Sequence, residues 1–393
     1  MHALIVGSGP VGMTVAGLLT QQRHRVTVID KRETLSTLPR GIAVNQATLA
    51  VFDRLGIGRQ LDQLSLRVPR IVLYRDRTPI GRVDFSRLDI ERPFFCHITQ
   101  NTLERTLYDQ LLRMDICIHR GVTLDSITND SGGIQARCID TEGRTRIFEA
   151  DALLACDGGN STVRTLLGLE VDQRTYGAYF LLADVRFEEL PLPPGETHYF
   201  LGRPGYLMVV PIPGGCHRVI LSFKGPHHQT SIDADLLERV IASRAGIPVK
   251  IGEVLWTTQS SFGHRVSRTA RRHDVYLAGD ALHQFSPIGG TNMNVGIEDA
   301  AALAQAICNQ RTDEYEAQRL QAVSQHLRLT QYLTRALVRT REMDFARRPF
   351  TSRTLRGLLA EEIPRLLTGL HGRVRDHERA RQSPATMECH HEP

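Results

Sequence analysis

Three strand-end carboxylates, each associated with a glycine-rich turn, carry the chemistry available to this chain. The first closes a βαβ pattern. An apolar run, Ala3 to Val6, leads into Gly7-Ser8-Gly9-Pro10-Val11-Gly12; an Ala- and Leu-rich helical pattern continues to Leu19, and a second strand-like run, Arg25 to Asp30, ends in an acid. In such a turn Gly7 permits the tight bend, Gly9 lets a pyrophosphate approach the backbone, and Gly12 lets helix and strand pack closely. Asp30 stands 18 residues beyond Gly12, where a carboxylate meets the ribose of a dinucleotide. An acid there suits a free 2′-hydroxyl, as in FAD or NAD, over a 2′-phosphate. Lys31, Arg32 and Arg40 follow; Arg40 reads either as a solvated loop residue or, the favoured reading, as lying along the dinucleotide and offering its guanidinium to phosphate or to a ring edge.

The second carboxylate ends another short apolar run, Ala152 to Ala155, in Cys156-Asp157-Gly158. Cys156 reads as a small buried residue rather than a redox thiol. Asp157 reads as a turn or cap residue or as part of the dinucleotide site, and the company of the other two junctions favours the site. The third lies in Val275-Tyr276-Leu277-Ala278-Gly279-Asp280, followed by a loop from Pro287 through Gly289, Gly290, Thr291, Asn292 and Met293 to Asn294, and then by a helix around Asp299. Asp280 can accept from sugar hydroxyls. The loop amides and the helix N-terminus favour negative charge on a flat, electron-rich ring.

These junctions require strands, helices and a second body. The spacing predicts a helix over Leu49, Phe52 and Leu55, another over Thr99 to Leu112, and a small meander from Ile116 to Glu149 around the Asn129-to-Gly133 turn; Gln100, at the start of the second helix, reads equally as a plain N-terminal polar residue or as a hydrogen-bond partner of a cofactor. From Tyr176 the texture turns sheet-rich, with strands expected at Tyr179–Phe187, Glu196–Leu201, Tyr206–Ile212, Cys216–Phe223 and Val254–Phe262, and a helix at Asp233–Arg244. After Asp299 the pattern is helical. The expected division is therefore 1–172 with 269–335 as one discontinuous dinucleotide domain, 173–268 as a sheet-rich substrate domain, and 336–393 as a basic helical extension with a frayed end.

The chain of 393 residues is 41% hydrophobic and 23% charged, which suits a soluble α/β protein with two cores. Its formal net charge of +5 is carried almost wholly by Arg, with no basic block carrying interleaved aromatics, so nucleic acid is not an expected partner. Seven scattered cysteines without a CxxC pair argue against structural zinc and a disulfide scaffold, hence no metal and a cytoplasmic setting. The first strand begins at Ala3, leaving no room for a signal peptide, and no apolar run is long enough for an integral membrane segment.

In this order, GxGxxG with Asp30, Cys156-Asp157-Gly158, and Gly279-Asp280 with Pro287-Ile288-Gly289-Gly290 resemble the FAD-dependent aromatic hydroxylases of the para-hydroxybenzoate hydroxylase type, over about residues 1–310. The resemblance implies a Rossmann-like FAD domain interrupted by a substrate sheet. It implies Gly7, Gly9 and Gly12 at the pyrophosphate, Asp30 at the adenosine ribose, and Arg40 and Gln100 along the FAD. It places Asp157 and Gly158 at a shared FAD and pyridine-nucleotide motif, Asp280 at the ribityl-pyrophosphate, and Pro287 to Asn294 at the isoalloxazine. The implied reaction is hydroxylation of a phenolic or polycyclic aromatic: NADH or NADPH reduces the flavin, O2 adds to form a C4a-hydroperoxide, and one oxygen passes to the ring. Thr291 and Asn292 stand where the family carries Gln and Gly, so side chains are expected to intrude near the ring. No general base is named; Tyr199, Tyr206, His217 and His283 are candidates by location only.

The single tryptophan, Trp256, lies outside any WxWxIP segment, which removes a flavin-dependent halogenase. An FAD-linked oxidase or reductase and a silent flavin-fold binder of reactive aromatics remain the alternatives. The helical tail is able to cover this chain's own core or a neighbouring copy in an oligomer.

Overall fold

The computed structural model describes residues 1–39, 41–75, 77–130, 133–202, 205–224, 232–286, 290–338 and 367–369. The apolar runs around the three junctions become adjacent strands of one six-stranded sheet. Its order is Arg271–Arg272, Val275–Leu277, Ala152–Ala155, His2–Val6, Arg25–Asp30 and Ile118–Arg120. All neighbours are parallel except the first pair. Parallel strands covered on both faces are apolar throughout, and Ala3, Leu4, Ile5, Leu153, Leu154 and Leu277 are fully buried. Val6 sits opposite Ala155, and Ala155 opposite Leu277. The three junctions therefore leave the sheet side by side at its carboxyl edge, where open α/β sheets place their ligands.

Two helices bracket that edge. Pro10–Gln21 starts with Pro at its first turn. Asn292–Cys308 packs against it, and a Cβ added at Gly296 would meet Val11 at 2.9 Å and Gly279 at 3.1 Å. The expected loop to Asn294 is thus shorter than the sequence suggested. Gly290, at φ +63, turns the chain, and the helix begins at Asn292.

The second body is an eight-stranded sheet: His283–Gln284, Lys250–Ser267, Val171–Glu189, Cys216–Lys224, Gly205–Ile212, Glu196–Gly202, Arg70–Arg75 and Thr78–Asp84. Every pair is antiparallel except Glu196–Gly202 with Arg70–Arg75. Its last two strands come from residues 70–84, far upstream of the sheet-rich stretch. Helix Ala234–Ala245 covers one face. Asp233 caps it by accepting from Leu236 N at 2.9 Å, Gly246 ends it at φ +70, and Leu237, Ile241 and Ala245 pack among Leu181, Val209, Val219 and Leu221.

Val122–Asp130, Gly133–Asp140 and Thr145–Ala150 form the meander, while the run Ile116 to His119, expected as its first strand, becomes the strand Ile118–Arg120 and pairs with Arg25–Asp30 instead. The last long helix is Thr312–Val338. The expected extension from 336 falls, apart from residues 336–338 and 367–369, outside the described residues.

Candidate functional site

The carboxyl edge opens into a cleft of about 630 Å³, within the usual range for ligand sites. Gly7, Gly9, Pro10, Val11, Asp30, Lys31, Arg32, Gln100, Asp157, Gly158, Asp280, Gly290, Thr291, Asn292 and Met293 all line it. Of the remaining sequence candidates, Gly12, Gly279 and Asn294 lie behind its wall, and Arg40, Pro287 and Gly289 lie outside the described residues.

The glycines divide by what a side chain would meet. At Gly7, φ is +102 and a Cβ would approach Cys156 O to 2.4 Å; at Gly12 it would sit 1.9 Å from Gly7 O. These two exist for packing. At Gly9 a Cβ would meet nothing within 4 Å, so its missing side chain leaves room in the cleft. Gly9 also begins Pro10–Gln21 without a side-chain cap, and no acid stands in that helix's first turn. Asn292–Cys308 starts the same way: Thr291 makes no capping bond and the first turn holds no acid. Two uncapped helix N-termini thus face one cleft, and each favours an anion by about 0.3–2 kcal/mol. Bare glycine backbone, unspent helix amides and an acid at the end of the second strand fit a dinucleotide pyrophosphate and ribose.

Asp30 is 5% exposed. Its Oδ2 accepts from Ser8 N at 2.7 Å and Ser8 Oγ at 2.6 Å, and its Oδ1 accepts from Arg32 N at 2.8 Å. Burial pushes its pKa up, but the bonds from Arg32 and Ser8 outweigh burial and hold it below the usual carboxylate value. It is an ionised acceptor. Gln100 Oε1 accepts from Gly41 N at 3.1 Å and its amide donates to Glu104 at 2.9 Å, so it braces the loop beyond residue 40. Asp157 Oδ2 accepts from Thr162 N at 2.6 Å and Val163 N at 3.1 Å. It thus receives the first amides of the short helix Thr162–Leu166, whose N-cap is Ser161, while lining the cleft. Gln284 donates to Asp280 Oδ2 at 3.0 Å.

The side chain of Asn292 does not intrude as expected. Its Oδ1 accepts from Phe285 N at 2.7 Å and its Nδ2 donates to Phe285 O at 2.9 Å, tying the loop's two ends together. Asn294 likewise accepts from Asn45 N at 2.9 Å and donates to Gly290 O at 2.7 Å. Thr291 Oγ1 is buried with no partner among the described residues.

Beneath Gly279 lies a buried ion cluster that the sequence did not announce. Asp299 Oδ2 accepts from Gly279 N at 2.9 Å and His283 Nε2 at 2.6 Å, and Oδ1 accepts from Arg319 Nε at 2.6 Å. Burial alone would raise the Asp299 pKa; Arg319 and His283 outweigh it and hold it below the usual value. His283 thus supports the turn from beneath and does not line the cleft. Arg218 was also missed. It lines the cleft, binds Asp184 through Nε at 2.7 Å and Nη2 at 2.8 Å, donates to Pro39 O, and lies 5.0 Å from the centre of Trp256.

A second, smaller cavity of about 100 Å³ adjoins the cleft. Its walls are mainly apolar (Val68, Ile71, Phe95, Met208, Val210), with His97, Thr197, Tyr199 and Tyr206 as the polar groups. Ile42, Ala43, Leu182, Ile220 and Gly290 line both spaces. Burial raises the pKa of both tyrosines, with Tyr199 adding to the shift of Tyr206, so both stay protonated. His217 stands away from both cavities, edge-on to Phe187 at 5.4 Å.

This is the architecture of a flavin-binding α/β protein with a substrate sheet laid over its cofactor edge. The chain belongs to the FAD binding domain family, which it matches over residues 1–330. It is 26% identical over 309 residues to pentachlorophenol 4-monooxygenase of Sphingobium chlorophenolicum, covering 77% of this chain and 57% of that protein. It is 29% identical over 331 residues to 6-methylpretetramide 4-monooxygenase of Streptomyces rimosus, covering 81% of this chain and 59% of that one. The chain thus spans under three-fifths of the length of these curated relatives. An anhydrotetracycline hydroxylase structure from Streptomyces rimosus shares the fold with a TM-score of 0.76 at 24% identity, covering 94% of this chain and 75% of that one. Among the described residues no helix is long and apolar enough to cross a membrane, and no His, Cys, Asp and Glu group is arranged for a metal.

Proposed function

We propose that this chain is an FAD-dependent monooxygenase that hydroxylates a phenolic or polycyclic aromatic small molecule with NADH or NADPH and O2. One observation carries the reading: an apolar cavity shares the wall formed by Ile42, Ala43, Leu182, Ile220 and Gly290 with a cleft shaped for a dinucleotide. The relatives named above are monooxygenases of aromatic compounds. Free, buried thiols at Cys96, Cys138, Cys156 and Cys216 suit a reducing cytoplasm.

When bound, FAD would supply the redox and oxygen chemistry. The chain's own residues bind and orient. Gly9 and the amides of the first helix receive the pyrophosphate, Asp30 accepts from the adenosine ribose, Gln100 and Arg32 line the adenosine side, and Asp280 accepts from the ribityl hydroxyls. The N-terminus of Asn292–Cys308 favours negative charge on the ring by about 0.3–2 kcal/mol. The apolar walls exclude water, which limits wasteful release of peroxide.

The test is a visible spectrum of the purified protein, then NAD(P)H oxidation with a panel of phenols and mass analysis of the product. Flavin bands, oxidation stimulated by a phenol and a product heavier by one oxygen atom are expected. Stimulated oxidation without oxygen in the product would make it an oxidase or reductase. A protein that holds FAD and an aromatic but consumes no NAD(P)H would be a silent binder.

A further inference from the structure

His97 closes the three-residue strand Phe95–His97 and pairs with Ala43 and Leu66 on either side. It is 5% exposed and lines the apolar cavity. Its Nδ1 lies 2.8 Å from Pro211 O. A carbonyl only accepts, so Nδ1 carries the ring proton and Nε2 presents a bare lone pair. Burial, aided by the nearby Arg218 charge and opposed by the Pro211 bond, brings its pKa down to about 4, so the ring is neutral at ordinary pH. No described protein group bonds Nε2. The other polar side chains of the cavity, Thr197, Tyr199 and Tyr206, are hydroxyls that can donate. Among the described residues lining it, Nε2 is the only side-chain nitrogen or oxygen that accepts without also donating. A ligand that fills this largely apolar space and displaces water from Nε2 leaves the acceptor unpaired, at a cost, unless the ligand itself supplies the donor.

We propose that His97 Nε2 accepts a hydrogen bond from a hydroxyl of the aromatic substrate, selecting hydroxylated rings over their ethers and fixing how the ring faces Gly290. The inference rests on the reading that this cavity takes an aromatic. The proton stays on the substrate oxygen in the bound complex. The bond polarises O–H and enriches the ring carbons ortho and para to it, the positions an electrophilic oxygen attacks.

Two probes, 2-naphthol and 2-methoxynaphthalene, are titrated calorimetrically into the FAD-loaded protein. Wild type should prefer the naphthol by about five- to a hundredfold, the range expected when a buried acceptor loses its donor. His97→Asn keeps a donor for Pro211 O but has no acceptor at the Nε2 position. It should bind the naphthol as weakly as the ether and leave ether affinity within about twofold of wild type. His97→Gln, whose amide oxygen can reach that position, should recover part of the preference. Equal affinity of wild type for both probes, or equal weakening of both by His97→Asn, would overturn the role of His97 while leaving the cavity an aromatic site. Failure of wild type to bind either probe would overturn the aromatic reading and the inference with it. The wild-type comparison and the Gln variant decide the matter even if the Asn variant folds poorly.

Discussion

Asp299→Asn should unseat the flavin turn from below without touching the cleft. Asp299 is fully buried and neutralises Arg319, which is itself 8% exposed. Asn can still accept from Gly279 N, so the change isolates the charge. Breaking a buried pair and stranding the partner costs about 3–5 kcal/mol. At about 2.1 cal/mol/K per residue, a chain of this length unfolds with an entropy of roughly 0.8 kcal/mol/K, so Tm should fall by about 4–6 °C. The pH profile gives a second readout. The folded pKa of Asp299 is depressed, so its stabilisation is present above the ordinary value of 3.8 and is lost as pH falls through the folded value. Wild type should therefore lose stability on the acid side, and Asp299→Asn should show a shallower acid limb. Thermal melts from pH 3 to pH 8, with flavin content measured alongside, test this. A Tm within about 1 °C of wild type at pH 7, with an unchanged acid limb, would refute the view that the cluster supports the turn. Asp299→Leu with Arg319→Met removes both charges and should recover part of the loss.

Gly9→Ser should leave Tm nearly unchanged, because serine is a good N-cap and its Cβ meets open space, yet weaken FAD binding at least about tenfold as the hydroxymethyl enters the phosphate site. Gly12→Ala should do the reverse and destabilise by about 1–3 kcal/mol or more, since its Cβ falls on Gly7 O; melts and flavin titration separate the two. Asp280→Ala should lower FAD affinity by about ten- to a hundredfold through lost charge-assisted bonds, and unchanged flavin content on gel filtration would count against its role. Asn292→Ala removes both ties to Phe285 and should cost about 1–3 kcal/mol, read by urea titration.

Much of the nucleotide half was legible because its elements are local. The run Ala3 to Val6, the uncapped glycine turn and the acid of Asp30 lie within thirty residues, and periodicity alone places them. The three junctions could be aligned because parallel strands bring their carboxyl ends to one edge. What stayed hidden is long-range. Asp299 and Arg319 are 20 residues apart on two helices, and each reads as an ordinary polar helix residue until the helices pack. His97 ends a strand of three residues, too short for an alternation pattern. Arg218 sits in the Cys216–Lys224 strand, and its charge gave no hint that Asp184 awaited it on the neighbouring strand. Asn292 looks like an intrusion in the sequence because sequence shows a side chain's bulk but not its direction.

The edge of the large sheet has a consequence for dissection. Strand Glu196–Gly202 is sealed on its outer side by Arg70–Arg75, which is drawn from the other half of the chain and runs parallel to it. A gene fragment covering residues 171–267 would therefore emerge with that flank unzipped, its amides and carbonyls presented to any passing strand, and would be prone to self-association. Swapping substrate sheets between relatives must graft two separate stretches together, or the graft will stick to itself before it can recognise anything.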